Sequence, residues 1–205
     1  CEALFLGYQP DDCGYLGNQV SVWLEPDLPV FHWLCGVSFR RIERYFESLL
    51  VGVRRTIYDS SYEEEDLTLL DWPDRNRLGD LAKARLLPVR QAIGQYFSGF
   101  ATEDLSSCLQ KVTVRHIDTM RGEGHQLMEW IQGCLAACTS QKASIDNPIE
   151  YCLEPITETN LEESLSLDFE YSNSRQFRWC KFREGSMGEI QASTGGIVEK
   201  IPTRI

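Results

Sequence analysis

Leu28-Pro29-Val30-Phe31-His32-Trp33-Leu34 and Arg55-Thr56-Ile57-Tyr58-Asp59 are the two stretches on which the fold turns. The first is a short, nearly continuous apolar run, the pattern of a strand buried on both faces. The second reads as another strand. Over residues 39–53, between them, the period becomes helical. Ile42, Tyr45, Phe46, Leu49 and Leu50 share one face, while Arg40, Arg41, Glu43 and Arg44 lie mostly outside it. Strand, helix and strand within about 30 residues make a βαβ unit, whose strands run parallel through a right-handed crossover.

Upstream, Leu16, Val20, Trp23 and Leu24 fall at i, i+4, i+7 and i+8 and mark an earlier helix that Pro26 stops. Downstream, the acidic run Glu63-Glu64-Glu65-Asp66 reads as a solvated loop or a helix N-terminus rather than a metal site. Two helical stretches are predicted after Trp72-Pro73-Asp74, over residues 76–83 and 86–97, with Pro88 tolerated in the first turn of the second.

From there the pattern changes. Val112, Val114 and His116 alternate with Thr113 and Arg115, which predicts a half-buried strand. A helix is predicted over 124–138, with Leu127, Trp130, Ile131 and Leu135 toward a core. Strands are then expected over 149–156, 165–171, 176–182 and 189–193, joined by short polar turns that favour antiparallel hairpins. The expected fold is therefore α/β: a βαβ-containing domain over 1–104 and an α+β domain over 105–205, with one helix on a mostly antiparallel sheet. The first residue is Cys1 rather than Met, and an N-terminal portion of the first domain is expected to be missing.

Composition narrows the function classes. Of 205 residues, 42% are hydrophobic and 11% aromatic, enough to exclude a disordered chain and to build a sizeable core. The net charge of −11 argues against nucleic acid or an anionic membrane surface as partner, because both select clustered Lys and Arg. No apolar run reaches the ~18 residues of a membrane span, and no signal-peptide pattern is visible. The eight cysteines form no Cys-x-x-Cys pair and no zinc-finger spacing, and several sit in apolar surroundings. Free thiols packing as small hydrophobes suit a reducing cytoplasm.

Residues able to do chemistry are few. There is no Gly-rich dinucleotide or phosphate loop and no nucleophile elbow, and no cofactor is expected. His32 sits in the buried-strand pattern and is read as a core histidine, and neither His116 nor His125 has a partner at metal-site or triad spacing. Asp59-Ser60-Ser61 lies just past the second strand, at the end where open α/β sheets place ligands. Its carboxylate and hydroxyls could hold a phosphate or sugar, or could simply turn the chain and cap the next helix. Cys134 and Cys138, one helical turn apart, are too distant to bridge each other directly; they are core thiols or, alternatively, one of them is a redox switch with another cysteine.

Three blocks in order resemble the glucose-6-phosphate dehydrogenase assembly protein (OpcA) family: Pro26-Asp27-Leu28-Pro29-Val30-Phe31-His32-Trp33, Ile57-Tyr58-Asp59-Ser60-Ser61, and Leu78-Gly79-Asp80-Leu81-Ala82-Lys83-Ala84-Arg85-Leu86-Leu87-Pro88-Val89-Arg90-Gln91. The resemblance covers about residues 15 to 100, and the second half matches in outline. Where the family carries aromatics in the third block, this chain has Lys83 and Val89. The resemblance implies a noncatalytic protein that binds and activates glucose-6-phosphate dehydrogenase in the oxidative pentose phosphate pathway. Arg85 and Arg90 match the two arginines of the third block and are expected to anchor acidic groups across a domain or partner interface. The alternative reading is a small-molecule enzyme or sensor that takes a sugar phosphate at Asp59-Ser60-Ser61.

Overall fold

The structure, a computed structural model, describes residues 29–40, 42–43, 53–63, 65–72, 74–139, 148–156, 162–173, 175–194 and 197–204. The helix expected around Leu16 to Leu24 and most of the one over 39–53 lie outside them. The chain is α/β and divides into two compact units, Cys1–Leu81 and Ala82–Ile205.

The first unit holds three parallel strands, β1 (Phe31–Trp33), β2 (Arg55–Tyr58) and β3 (Leu78–Asp80), in the order β1-β2-β3. Phe31 pairs with Arg55 and Trp33 with Ile57, the parallel pairing that the strand–helix–strand pattern predicts. β3 overturns a sequence expectation. Residues 76–83 read as helix, yet Arg75–Arg77 form a single 3-10 turn and Leu78, Gly79 and Asp80 pair with Thr56, Ile57 and Tyr58. A three-residue strand is too short to show a period, so only its partner defines it. Leu34, Ile42, Tyr58, Leu67, Leu70 and Trp72 form the core of this unit. Trp72 closes it by donating its indole N–H to the Leu67 carbonyl at 2.6 Å.

The second unit begins within the short helix α1 (Leu81–Arg85), which α2 (Leu87–Phe97) follows directly. After α3 (Thr102–Ser106) come β4 (Leu109–His116), α4 (Arg121–Thr139), β5 (Glu150–Pro155), β6 (Glu163–Tyr171), β7 (Gln176–Phe182), β8 (Met187–Thr194) and β9 (Ile197–Arg204). The described strands make one sheet in the order β5-β4-β6-β7-β8-β9. It is mostly antiparallel, as expected. The exception is β5, which pairs parallel to β4 across α4, so this unit also contains a βαβ connection.

Two further differences have physical causes. α2 belongs to the core of this unit through Val89, Ile93 and its N-cap Leu86, so two long helices cover the sheet where the sequence predicts one, and the division falls before α2 rather than after residue 104. β9 is absent from the sequence expectation, because Pro202 and the Glu199-Lys200 pair hide its alternation; a proline is tolerated there because the strand is outermost.

The sheet register separates two faces. Val112, Val114, Leu165, Leu167, Phe169, Phe177, Trp179 and Ile190 turn one way and share a core with Leu127, Met128, Ile131 and Leu135 of α4. Gly124 allows α4 to close on β4, since a Cβ there would stand 2.6 Å from the His116 ring. Thr113, Arg115, Ser166, Asp168 and Arg178 occupy the alternate positions and therefore the opposite face.

Candidate functional site

Asp59, Ser60 and Ser61 leave β2 in a turn held by carboxylates. The Asp59 side chain accepts from Ser61 N at 3.1 Å, and its carbonyl accepts from Tyr62 N and Glu63 N. Ser60 donates both its N–H (3.1 Å) and its hydroxyl (2.8 Å) to Asp80, the last residue of the neighbouring strand. After β1, Gly36 adopts a left-handed φ of 62° and donates its N–H to the buried Glu63 at 3.0 Å, while Phe39 N donates to Glu65. The C-terminal ends of all three strands are thus tied together by acidic side chains. Burial raises the Glu63 pKa; the Gly36 and Val37 amides oppose this and the Asp59 charge adds to it.

That geometry decides what the motif can bind. The donors that a phosphate would need are engaged by Asp59 and Asp80, and the surrounding charge is negative, so the arrangement favours a chain turn over a phosphate cradle. Among the described residues no group of three His, Cys, Asp or Glu could hold a metal ion.

The exposed feature of the first unit is aromatic. Phe31 is 52% and Trp33 64% exposed, both on one side of β1 because they are two residues apart. This corrects the expectation of a strand buried on both faces: β1 is an outer strand of the described sheet, and among the described residues of its run, 29–34, Leu34 alone is fully buried. Tyr62 and Leu69 of the same unit are also exposed. His32 is half-buried, and burial lowers its pKa below the usual imidazole value.

In the second unit the arginines of the third block part company. Arg85 Nε lies 2.5 Å from Glu123 Oε1; the Glu123 side chain is 4% exposed and that of Arg85 43%. Arg85 therefore holds an acidic group within the second unit, tying α1 to the first turn of α4. Arg90 instead donates to the Lys83 carbonyl at 3.1 Å. Arg85→Ala is expected to cost about 1–2 kcal/mol, less than the ~3–5 kcal/mol of a fully buried broken pair because the guanidinium is half in water. Arg90→Ala should cost about 1 kcal/mol or less. Urea unfolding of both variants checks the order, and equal costs would contradict it.

Cys134 is exposed and Cys138 half-buried on α4, and Cys35, Cys108, Cys152 and Cys180 are likewise free thiols. Burial raises the Cys134 pKa, with the Cys138 charge adding and Arg90 opposing, which is the reverse of thiolate activation. His116 is buried under Gly124 with Nδ1 2.9 Å from the Ile117 carbonyl, and His125 is exposed near the start of α4.

Fold and site define an α/β chain with an exposed aromatic strand in one unit and a helix-backed sheet in the other. Comparison with protein-family models, with curated proteins and with solved structures finds no match.

Proposed function

We propose that this chain is a noncatalytic protein that binds glucose-6-phosphate dehydrogenase and favours its active conformation. The observation that carries the reading is the exposure of Phe31 and Trp33, two large aromatics presented side by side within the very block that resembles the assembly-protein family. Buried aromatics anchor protein interfaces, and large ones left in water on a folded domain mark candidate contact surfaces. The energetic demand is small: a partner that prefers the active state about tenfold shifts the equilibrium by about 1.4 kcal/mol.

Titration of the chain into a glucose-6-phosphate dehydrogenase from the same source should change the enzyme's apparent affinity or turnover saturably, while the chain alone turns over no sugar phosphate. Trp33→Ala should weaken that binding about 30-fold, the effect of a ~2 kcal/mol anchor. Saturable binding with unchanged kinetics would leave a scaffold. Absence of binding, with intrinsic turnover that Asp59→Ala abolishes, would favour the enzyme instead.

A further inference from the structure

On the face of the six-stranded sheet opposite α4, an ionic ladder crosses four strands. Arg115 on β4 reaches Glu154 on β5 at 3.0 Å and Asp168 on β6 at 2.7 Å. Arg178 on β7 reaches Asp168 at 3.6 Å and Glu163 on β6 at 2.5 Å. One face of an antiparallel sheet is commonly left to water, and its residues are then simply solvated. This face departs from that pattern. Thr113 and Ser166 are 0% exposed, and Thr113 Oγ1, Ser166 Oγ and Arg178 Nε are buried without a hydrogen-bond partner. Nine in ten or more buried polar groups in folded proteins are paired, so three orphans clustered around one carboxylate need an explanation. Register puts Thr113 opposite Asp168, Asp168 opposite Arg178, and Ser166 opposite Arg115. Beside this knot lies a cavity of about 370 Å³ lined by Arg115, Asp168, Glu170, Gln176, Arg178 and Ser193 among others, within the ~300–1,000 Å³ range of small-molecule sites.

We propose that this face is a ligand site, centred on Asp168 between Arg115 and Arg178, for a neutral polyhydroxylated molecule of monosaccharide size. Charge selects the class. Both arginines are already committed to carboxylates, Arg115 to Glu154 and Asp168 and Arg178 to Glu163 and Asp168, so the site carries no excess positive charge. An anion finds no uncommitted cation among these lining residues. What the walls offer is a carboxylate on Glu170, an amide on Gln176 and a hydroxyl on Ser193, a mixture of donors and acceptors that hydroxyl groups match because each both donates and accepts.

The inference stands apart from the dehydrogenase reading and is tested without that enzyme. The isotope-labelled full chain is titrated with D-glucose and with myo-inositol, and with anionic inositol monophosphate and zwitterionic alanine as comparators bearing ionic groups, monitoring the side-chain amide signals of Gln176 and Gln191. The expected result is saturable shifts with at least one neutral compound and weaker or no response to the ionic pair. Gln176→Ala and Ser193→Ala, both away from the core, should each weaken binding about tenfold with the fold intact, and Trp33→Ala should leave it unchanged. Failure of both neutral compounds to saturate, tighter binding of an ionic comparator, or indifference to both wall substitutions would overturn the proposal.

Discussion

Trp179→Ala is expected to lower the stability of the second unit by about 3–5 kcal/mol, the usual cost of deleting a large aromatic from a close-packed core. Trp179 is fully buried on β7, opposite Leu167 on one side and Ile190 on the other, in the middle of the face that α2 and α4 cover. Its truncation opens a cavity that neither neighbouring strand can fill without breaking register. Trp179→Phe should cost much less. It keeps most of the apolar volume and removes an indole N–H that has no acceptor. Denaturant unfolding monitored by far-UV circular dichroism checks both, and a loss below about 1 kcal/mol for the alanine variant would contradict this packing.

The second large effect is an alkaline loss of stability set by Cys180. This thiol is 1% exposed, and burial pushes its pKa from 9.0 up to about 11, with the Glu163 charge adding and Arg178 opposing. The unfolded chain releases the proton above pH 9 while the folded chain holds it to about pH 11. Between those limits the folded state binds more protons, so stability falls as pH rises and is fully present below about pH 9. At 1.36 kcal/mol per unit the loss is roughly 2–3 kcal/mol. Tyr171, pushed from 10.0 to about 12 mainly by burial, adds a second decline above pH 10. Cys180→Ala should remove the first decline and leave the second. Unfolding free energies measured across the alkaline range in both proteins decide the matter, and identical slopes would rule the thiol out.

What was legible in the chain was whatever local period reports. The parallel pairing of Phe31–Trp33 with Arg55–Tyr58 could be inferred from strand, helix and strand in close succession, and α4 from the spacing of Leu127, Ile131 and Leu135. What could not be read depends on neighbours far along the chain. Leu78–Asp80 is a strand only because β2 lies beside it. Phe31 and Trp33 have the composition of a buried strand, yet both stand in water on one side of β1. The pairing of Arg85 with Glu123 spans 38 residues, and the knot around Asp168 gathers residues from four strands, so no spacing rule announces either. A parallel β4–β5 pairing was likewise hidden, because the period of β5 looks the same in either direction.

The two outermost strands of the described six-stranded sheet bear on how the protein behaves when crowded. A flat, apolar strand with unpaired backbone groups is a template on which further copies can add, and filaments grow from such ends. β5 carries Glu150, Glu154 and Pro155, and β9 carries Glu199, Lys200 and Pro202. Each therefore combines charge with a residue that lacks an amide hydrogen. Any strand docking beside them would meet a missing hydrogen bond or an ionic side chain to desolvate, even though Ile197, Val198 and Ile201 leave β9 with exposed apolar surface. The same residues that obscure β9 in the sequence thus guard the sheet against open-ended self-assembly.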